Sequence, residues 1–508
     1  MPNQRRTGVI LGYANIIAKN LVNLVYTPML LSFVGKADYG VFQTSYSFVF
    51  SLSLLSFGFS QAYVRFYMLK KADGDNEGIR KLNGVYLVLY AGVSAVAFFL
   101  GLGFAANSGT VFSGSFTPEQ VDLAGRVMTI LAASIALTLF NSVFDAYVIA
   151  REEFRFQQSR QLAATIAMPF LAYGLLLLGM GVVGVALVQL AVNAALLALN
   201  AFYAIGRLGM RFSVRRFDSA LFRSVAAFSA WIFVNQVCDM VNQNIPNVAL
   251  GAISGASAVA VFAVSVQIRN VFVSISTVMS NVFVPEINRI VAEADDNEKL
   301  VQLMTRVGRY QMILFCWVYG GFVLLGNFFV AKWAGESFAD AYWLILAMAL
   351  PLAVPLVQNT GTEIQRAKNL HKARSAVLLV MAALNVAFTI VASPQLGYWA
   401  PAIGYIASIV LGNGVFMNWY YHFRVGLDMT FFWRKVLPPA CAAAVVVGLC
   451  AVAMRFAPMS DWASFFVWSA IYSILFGAAM WAAVLSKGEK AKAASLARLG
   501  KGACHGRQ

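Results

Sequence analysis

Charge is what this chain has least of. Only 12% of its 508 residues are Asp, Glu, Lys or Arg, whereas 60% are hydrophobic, and its mean hydropathy is +0.70. A soluble protein carries roughly a quarter charged residues, so a soluble fold of this length would lack the polar surface to cover itself. Histidine is equally scarce: His371, His422 and His505 are too few and too scattered for a histidine-based metal site. The cysteines Cys238, Cys316, Cys441, Cys450 and Cys504 form no CxxC pair, and all but Cys504 lie in apolar segments. Those in apolar segments are expected to be small core residues with no redox or metal role. No glycine loop leads into Lys-Ser or Lys-Thr, which argues against direct ATP drive, and no catalytic constellation emerges. The expectation is a protein that is not an enzyme, needs no cofactor and moves its substrate instead of reacting it.

What the chain has is long apolar runs. Segments at 8–34, 40–67, 83–105, 119–149, 161–180, 182–206, 223–250, 257–285, 307–331, 339–361, 375–393, 399–421, 436–456 and 462–485 read as membrane spans. All should be helices, because a helix satisfies its own backbone hydrogen bonds in lipid. The fold class is therefore an all-α polytopic membrane protein with fourteen transmembrane helices. Asn15, Lys19, Asn20 and Asn23 interrupt the first run, so it is not a cleavable signal.

The basic residues, which leave a net charge of +16, fit this frame. With the amino terminus in the cytoplasm, only Lys36, Lys332 and Arg455 of the 38 Lys and Arg fall in outer loops or at their edges. Arg126 lies near an outer helix end, and Lys19 and Arg269 lie within spans. All the others fall inside, as the positive-inside rule requires, with both termini cytoplasmic. They flank apolar segments instead of forming one patch, so nucleic acid is not an expected partner. The tail from Lys487 to Arg507 suits attraction to anionic membrane lipids.

An internal repeat is visible at a separation of about 220 residues. Asn15/Asn235, Gly35/Gly255, Val41/Val261 and Phe42/Phe262 match, as do Ile149/Ile364, Arg151/Arg366, Gly181/Gly397 and Ala186/Ala402 at a slightly shorter offset. An even number of spans separates the copies, so both halves run the same way through the membrane, an arrangement that places a transporter's substrate site between them. The expected layout is two pseudo-symmetric six-helix lobes, 1–210 and 211–424, then two further spans over 425–486 and the basic tail at 487–508.

Polar residues inside spans cost roughly 2.5–3.5 kcal/mol each when ionisable, so their presence needs a reason. Arg269 is the clearest, because the apolar stretches on either side of it are each too short to cross a bilayer. It sits near the midplane, flanked by Gln267 and Asn270, either facing a cavity that attracts an anion or paired with Asp239 or Asp145. Asn15, Lys19 and Asn23 form one stripe of the first span, and Asn235, Asp239, Asn242 and Gln243 form a comparable one on the seventh. These are opposite walls of one cavity, or hydrogen bonds that merely join helices. Arg65 ends the second span as an anchor or a substrate contact, and Asp145 lies near the cytoplasmic face of the fourth. Thr117, Pro118 and Gln120 are a helix-start signature. Pro169, Pro351, Pro355 and Pro401 are expected to bend spans.

The run Val34-Gly35-Lys36-Ala37-Asp38-Tyr39-Gly40-Val41-Phe42, then Phe57-Gly58 through Val64-Arg65-Phe66, Pro285-Glu286-Ile287, and Leu384-Asn385 with Gly397 and Ala402-Ile403-Gly404 resemble the oligosaccharide flippases of the multidrug/oligosaccharidyl-lipid/polysaccharide exporter superfamily. The resemblance implies alternating access around a central cationic cavity. It also implies movement of a polyprenyl-diphosphate-linked oligosaccharide from the inner to the outer leaflet of a bacterial inner membrane, alongside a glycan polymerase. Lys19, Arg65, Asp239 and Arg269 occupy spans where that family carries cavity charges. Lys19 and Arg269 would hold the diphosphate, and the asparagines and Gln243 the sugars. Asp239 would alternate between these cations or bind a coupling proton or sodium ion, with Asp145 as the lesser candidate. A lipid II flippase, a multidrug exporter and, from another class, a membrane-embedded glycan polymerase or ligase are the competing readings.

Overall fold

The computed structural model describes residues 2–485 and 488–490, apart from 57, 214–222, 226–228, 230–232, 234, 235, 238, 239, 241–243, 282, 294, 295, 369 and 371. The chain is all-α, and no strand occurs among the described residues. In chain order its principal helices are α1 (Pro2–Phe50), α2 (Phe59–Ala72), α3 (Asn76–Ala106), α4 (Pro118–Ala150), α5 (Phe154–Leu177), α6 (Gly181–Ala201), α7 (Ile245–Ser254), α8 (Ala256–Asn281) and α9 (Val284–Glu293). They continue as α10 (Asn297–Trp333), α11 (Ala339–Val357), α12 (Asn359–Ala367), α13 (Lys372–Leu396), α14 (Trp399–Ser408), α15 (Met429–Val436), α16 (Pro438–Phe456) and α17 (Trp462–Ala479).

Among the described residues, 12 stretches are long and apolar enough to cross a membrane. The first, Ala14–Ala72, takes in both of the first two expected spans, and the shorter apolar helix α7 closes the expected seventh. The outer surface agrees with a multi-pass membrane protein: Phe170, Leu178, Phe202, Val391 and Phe456 are 73–87% exposed. Such exposure costs roughly 25 cal/mol per Å² in water and nothing comparable in lipid.

The second span departs from the continuous helix expected over 40–67. Gly35, at φ 75° and ψ 176°, separates it from the first span. Helix then runs to Phe50, tightens into a 3₁₀ segment over Ser51–Ser56, and restarts at Phe59 behind the left-handed Gly58 at φ 70°. Hydropathy could not show this break, because Ser51–Ser56 holds only serine and leucine, with no charge or proline to mark it. The Phe59 carbonyl at the restart also accepts a hydrogen bond from the Tyr86 hydroxyl at 3.0 Å, which ties the broken span to α3.

The chain divides into two compact units, Met1–Val264 with Leu378–Tyr405, and Ser265–Val377 with Ile406–Gln508. In the first unit, α1 beyond Gly35 lies on α7 and the start of α8 through small residues. A Cβ on Gly40 would meet the Ala256 carbonyl, one on Gly251 would meet Thr44, and Asn247 Nδ2 donates to Ser47 Oγ at 3.0 Å. A buried cluster of Tyr63, Tyr67, Tyr86, Tyr90 and Tyr147 ties α2, α3 and α4 together. In the second unit the long α10 is the hub. Phe272 of α8 meets Phe315, Tyr319 and Phe322 on one side of it, and the Tyr472 hydroxyl of α17 reaches the Cys316 and Trp317 carbonyls.

Local expectations largely hold. Thr117 and Gln120 form a reciprocal capping box at the start of α4. Pro169, Pro351 and Pro355 lie inside helices, but Pro401 falls in the first turn of α14, where no backbone donor is lost and no bend is required. Cys316 and Cys450 are buried free thiols, whereas Cys441 is exposed; in lipid a small apolar side chain has no need of a core.

Candidate functional site

The polar stripe of the first span is not uniform. Asn15 turns its amide to α5, donating to the carbonyl of Gln158 at 2.9 Å and to Gln158 Oε1 at 2.8 Å. It therefore joins helices. Lys19, one turn further, is exposed, and Asn23 is partly exposed with its own hydrogen-bonding contacts. Arg65 on α2 is exposed as well. Asn235, Asp239, Asn242 and Gln243, the expected facing stripe, lie outside the described residues.

Asp145 near the end of α4 is ion-paired with Arg160 of α5 at 2.5 Å, and the Arg160 side chain is only 7% exposed. An ion pair this sheltered fixes the two helices together, since removing either partner strands a buried charge. Arg269 stands about halfway along α8. It is 7% exposed, between buried Ile268 and buried Phe272, and its Nη2 donates to Asn270 Oδ1 at 3.0 Å. Arg269 therefore lies at the middle of the helix with its side chain largely buried.

The first unit also holds polar space that the sequence did not announce. A cavity of about 190 Å³ is lined by Tyr46, Ser134, Thr138, Gln189 and Asn193, with Val49, Phe50, Leu131 and Ile135. Asn193 Nδ2 donates to Ser134 Oγ at 2.8 Å, and Tyr46 hydrogen-bonds Gln189. These residues come from the middle turns of α4 and α6 and from α1 beyond its bend. A second cavity of about 200 Å³ is lined by Phe50, Ser53, Leu54, Ser56, Gln236, Met240 and Asn244. Phe50 is common to both. At roughly 10–15 Å³ per water centre, each has room for several waters. One signal was available: Gln189 and Asn193 are spaced i, i+4 in the middle of a largely apolar span. Tyr46, Ser134 and Thr138 lie singly on other helices, and only packing groups them.

Comparison with known proteins bears on what this fold serves. The family described as polysaccharide biosynthesis protein matches residues 29–343. The uncharacterized membrane protein EpsK of Bacillus subtilis (strain 168) is 24% identical over 488 residues, which cover 94% of this chain and 95% of that protein. Among solved structures, the chain is similar to the lipid II flippase MurJ in an inward closed conformation, with a TM-score of 0.68 at 11% identity over 93% of this chain and 97% of that one. It is also similar to an inward-facing multidrug resistance MATE family transporter of the MOP superfamily, with a TM-score of 0.64 at 15% identity over 81% and 94%. At such identities the likeness is one of fold.

Proposed function

Because the chain belongs to the polysaccharide biosynthesis protein family, we propose that it is a flippase for a polyprenyl-diphosphate-linked oligosaccharide, carrying it from the inner to the outer leaflet of a bacterial cytoplasmic membrane. It works by alternating access, with both termini inside, and supplies an outer-leaflet glycan polymerase. Several sugars cannot cross lipid unaided, since each unpartnered hydroxyl costs roughly 2–7 kcal/mol to bury. The observation that supports this reading best is Arg269, a permanent charge buried halfway along an apolar helix. Its complement is an anion, and the diphosphate of a lipid-linked glycan is one. A cationic drug is not, which weighs against a multidrug exporter despite the shared fold.

Lys19, exposed on α1, is the second cation we assign to the diphosphate, and Arg65 at the inner end of the second span is a site of first capture. Asp239 keeps the coupling role, to a proton or sodium ion. Asp145, held by Arg160, serves to fasten α4 to α5. Arg269→Ala should abolish export of the glycan while the protein persists in the membrane, and Arg269→Lys should retain part of it. Export at the wild-type level in Arg269→Ala would remove the arginine from the pathway. Complementation of a strain lacking its lipid II flippase, with no effect on surface glycan, would favour lipid II as the cargo.

A further inference from the structure

We propose that the two polar cavities of the first unit form one subsite for neutral sugar residues, gripped by hydroxyl and amide side chains beside the stacked rings of Tyr46 and Phe50. The proposal rests on the lipid-linked glycan reading and adds a place for the glycan, apart from the cations assigned to the diphosphate.

The chemistry of the lining selects the ligand. Among the lining residues, Tyr46, Ser53, Ser56, Ser134 and Thr138 carry hydroxyls, while Gln189, Asn193, Gln236 and Asn244 carry amides. Both groups donate and accept hydrogen bonds, as a sugar hydroxyl does. A diphosphate only accepts, and is served by lysine and arginine; neither residue lines the cavities among the described residues. A metal cation taken out of water needs a carboxylate to offset its desolvation, and none lines them among the described residues. Hydroxyls and amides together suit a neutral polyhydroxylated ligand.

Two further observations point to an occupant. Gln236 Oε1 is buried and accepts no hydrogen bond, an acceptor that a ligand hydroxyl would satisfy. The second span breaks into its 3₁₀ segment at Ser51–Ser56, whose Ser53 and Ser56 line the second cavity. Irregular backbone at membrane depth is tolerated where it is buried in protein or lines a wet cavity. The rings of Tyr46 and Phe50, 5.3 Å apart and 17° from parallel, both border the first cavity and offer the flat apolar surface that the C–H face of a pyranose covers.

The test measures binding to the purified chain in nanodiscs with two probes. One is the undecaprenyl-diphosphate-linked oligosaccharide extracted from the source bacterium after deletion of this gene; the other is undecaprenyl diphosphate without sugar. Tyr46→Phe, Gln236→Met and Gln189→Leu nearly conserve volume. Each should weaken the sugar-bearing probe by about 3- to 10-fold, the effect of one neutral hydrogen bond, and leave the bare diphosphate within about twofold. Unchanged affinity for the sugar-bearing probe in all three variants would overturn the subsite while leaving the flippase reading intact. Equal losses for both probes, or a changed sodium dependence with unchanged glycan affinity, would overturn it in favour of an anion or cation site. A wild-type protein that binds neither probe would fail the glycan reading itself, and the subsite with it.

Discussion

Gly35 and Gly255 adopt the same backbone conformation, φ 75° and ψ 176° in one, φ 84° and ψ 170° in the other. The internal alignment paired them. A second aligned pair, Gly181 and Gly397, shares φ 52°, and the partners Val41/Val261, Phe42/Phe262 and Ala186/Ala402 are all buried. The repeat therefore survives where chain geometry enforces it: each copy needs a residue that can hold positive φ between two helices.

That requirement can be measured. Gly35→Ala and Gly255→Ala should each lower stability by about 1–2 kcal/mol, the strain of an L-residue at positive φ, read as the midpoint of thermal unfolding in detergent. Gly255→Ala should be the worse, because its Cβ would also lie 3.0 Å from the Ser115 carbonyl. Gly103→Ala, within α3 and with nothing near its Cβ, should leave the midpoint unchanged or raise it.

The contact of α1 with α7 and the start of α8 depends on missing side chains. Gly40→Ala should abolish folded yield, since its Cβ would collide with the backbone of Ala256, which cannot swing aside. Gly251→Ala meets only the side chain of Thr44, so Thr44→Ala should restore most of the loss. Size-exclusion profiles of the two single variants and the pair decide between them; an additive double variant would deny the contact.

Asp145 and Arg160 should behave as a unit. Asp145→Ala leaves a buried guanidinium without its carboxylate and should destabilise by about 3–5 kcal/mol. Asp145→Leu with Arg160→Met should recover most of that. Transport by the recovered double variant is the expected result; a folded double variant that fails to transport would return Asp145 to the coupling mechanism.

Acid should loosen three helix starts outside the membrane. The Gly78 amide, with Lys70, holds the Asp75 carboxyl below its ordinary range. The Lys299 amide and ammonium do the same for Asp296, and the Ser464 amide for Asp461. A carboxylate lowered in the folded state stabilises fully above its unfolded value of about 3.9 and stops doing so as pH falls through the folded one. Hydrogen exchange at the first turns of α3, α10 and α17, corrected for intrinsic rates, should rise on acidification below about pH 4. Asp296→Asn should flatten that response at α10 alone.

Much of the fold was legible in the sequence. Helical spans follow from apolar length, because lipid offers the backbone no other partner, and the turn at Gly35 and the capping box at Thr117 follow from local backbone needs. The 3₁₀ break over Ser51–Ser56 was not legible, since no proline or charge marks it. Of the expected site residues, Arg269 lies about halfway along its helix, a place that counting along the apolar run gives. Asn15, expected as a cavity wall or a helix-joining hydrogen bond, and Asp145, the lesser coupling candidate, have partners on another helix, Gln158 and Arg160, and hydropathy carries no record of which helix is the neighbour.

The sequence alone determined that this chain is a helical membrane protein, because burial in lipid is a demand on single segments. The tertiary structure decided which polar groups are spent on each other and which are left to line space. A side chain's hydrogen-bonding capacity is set by its own atoms, but its use is set by what packs opposite it. Tyr46, Ser134 and Gln189 share a cavity only because α1, α4 and α6 meet there.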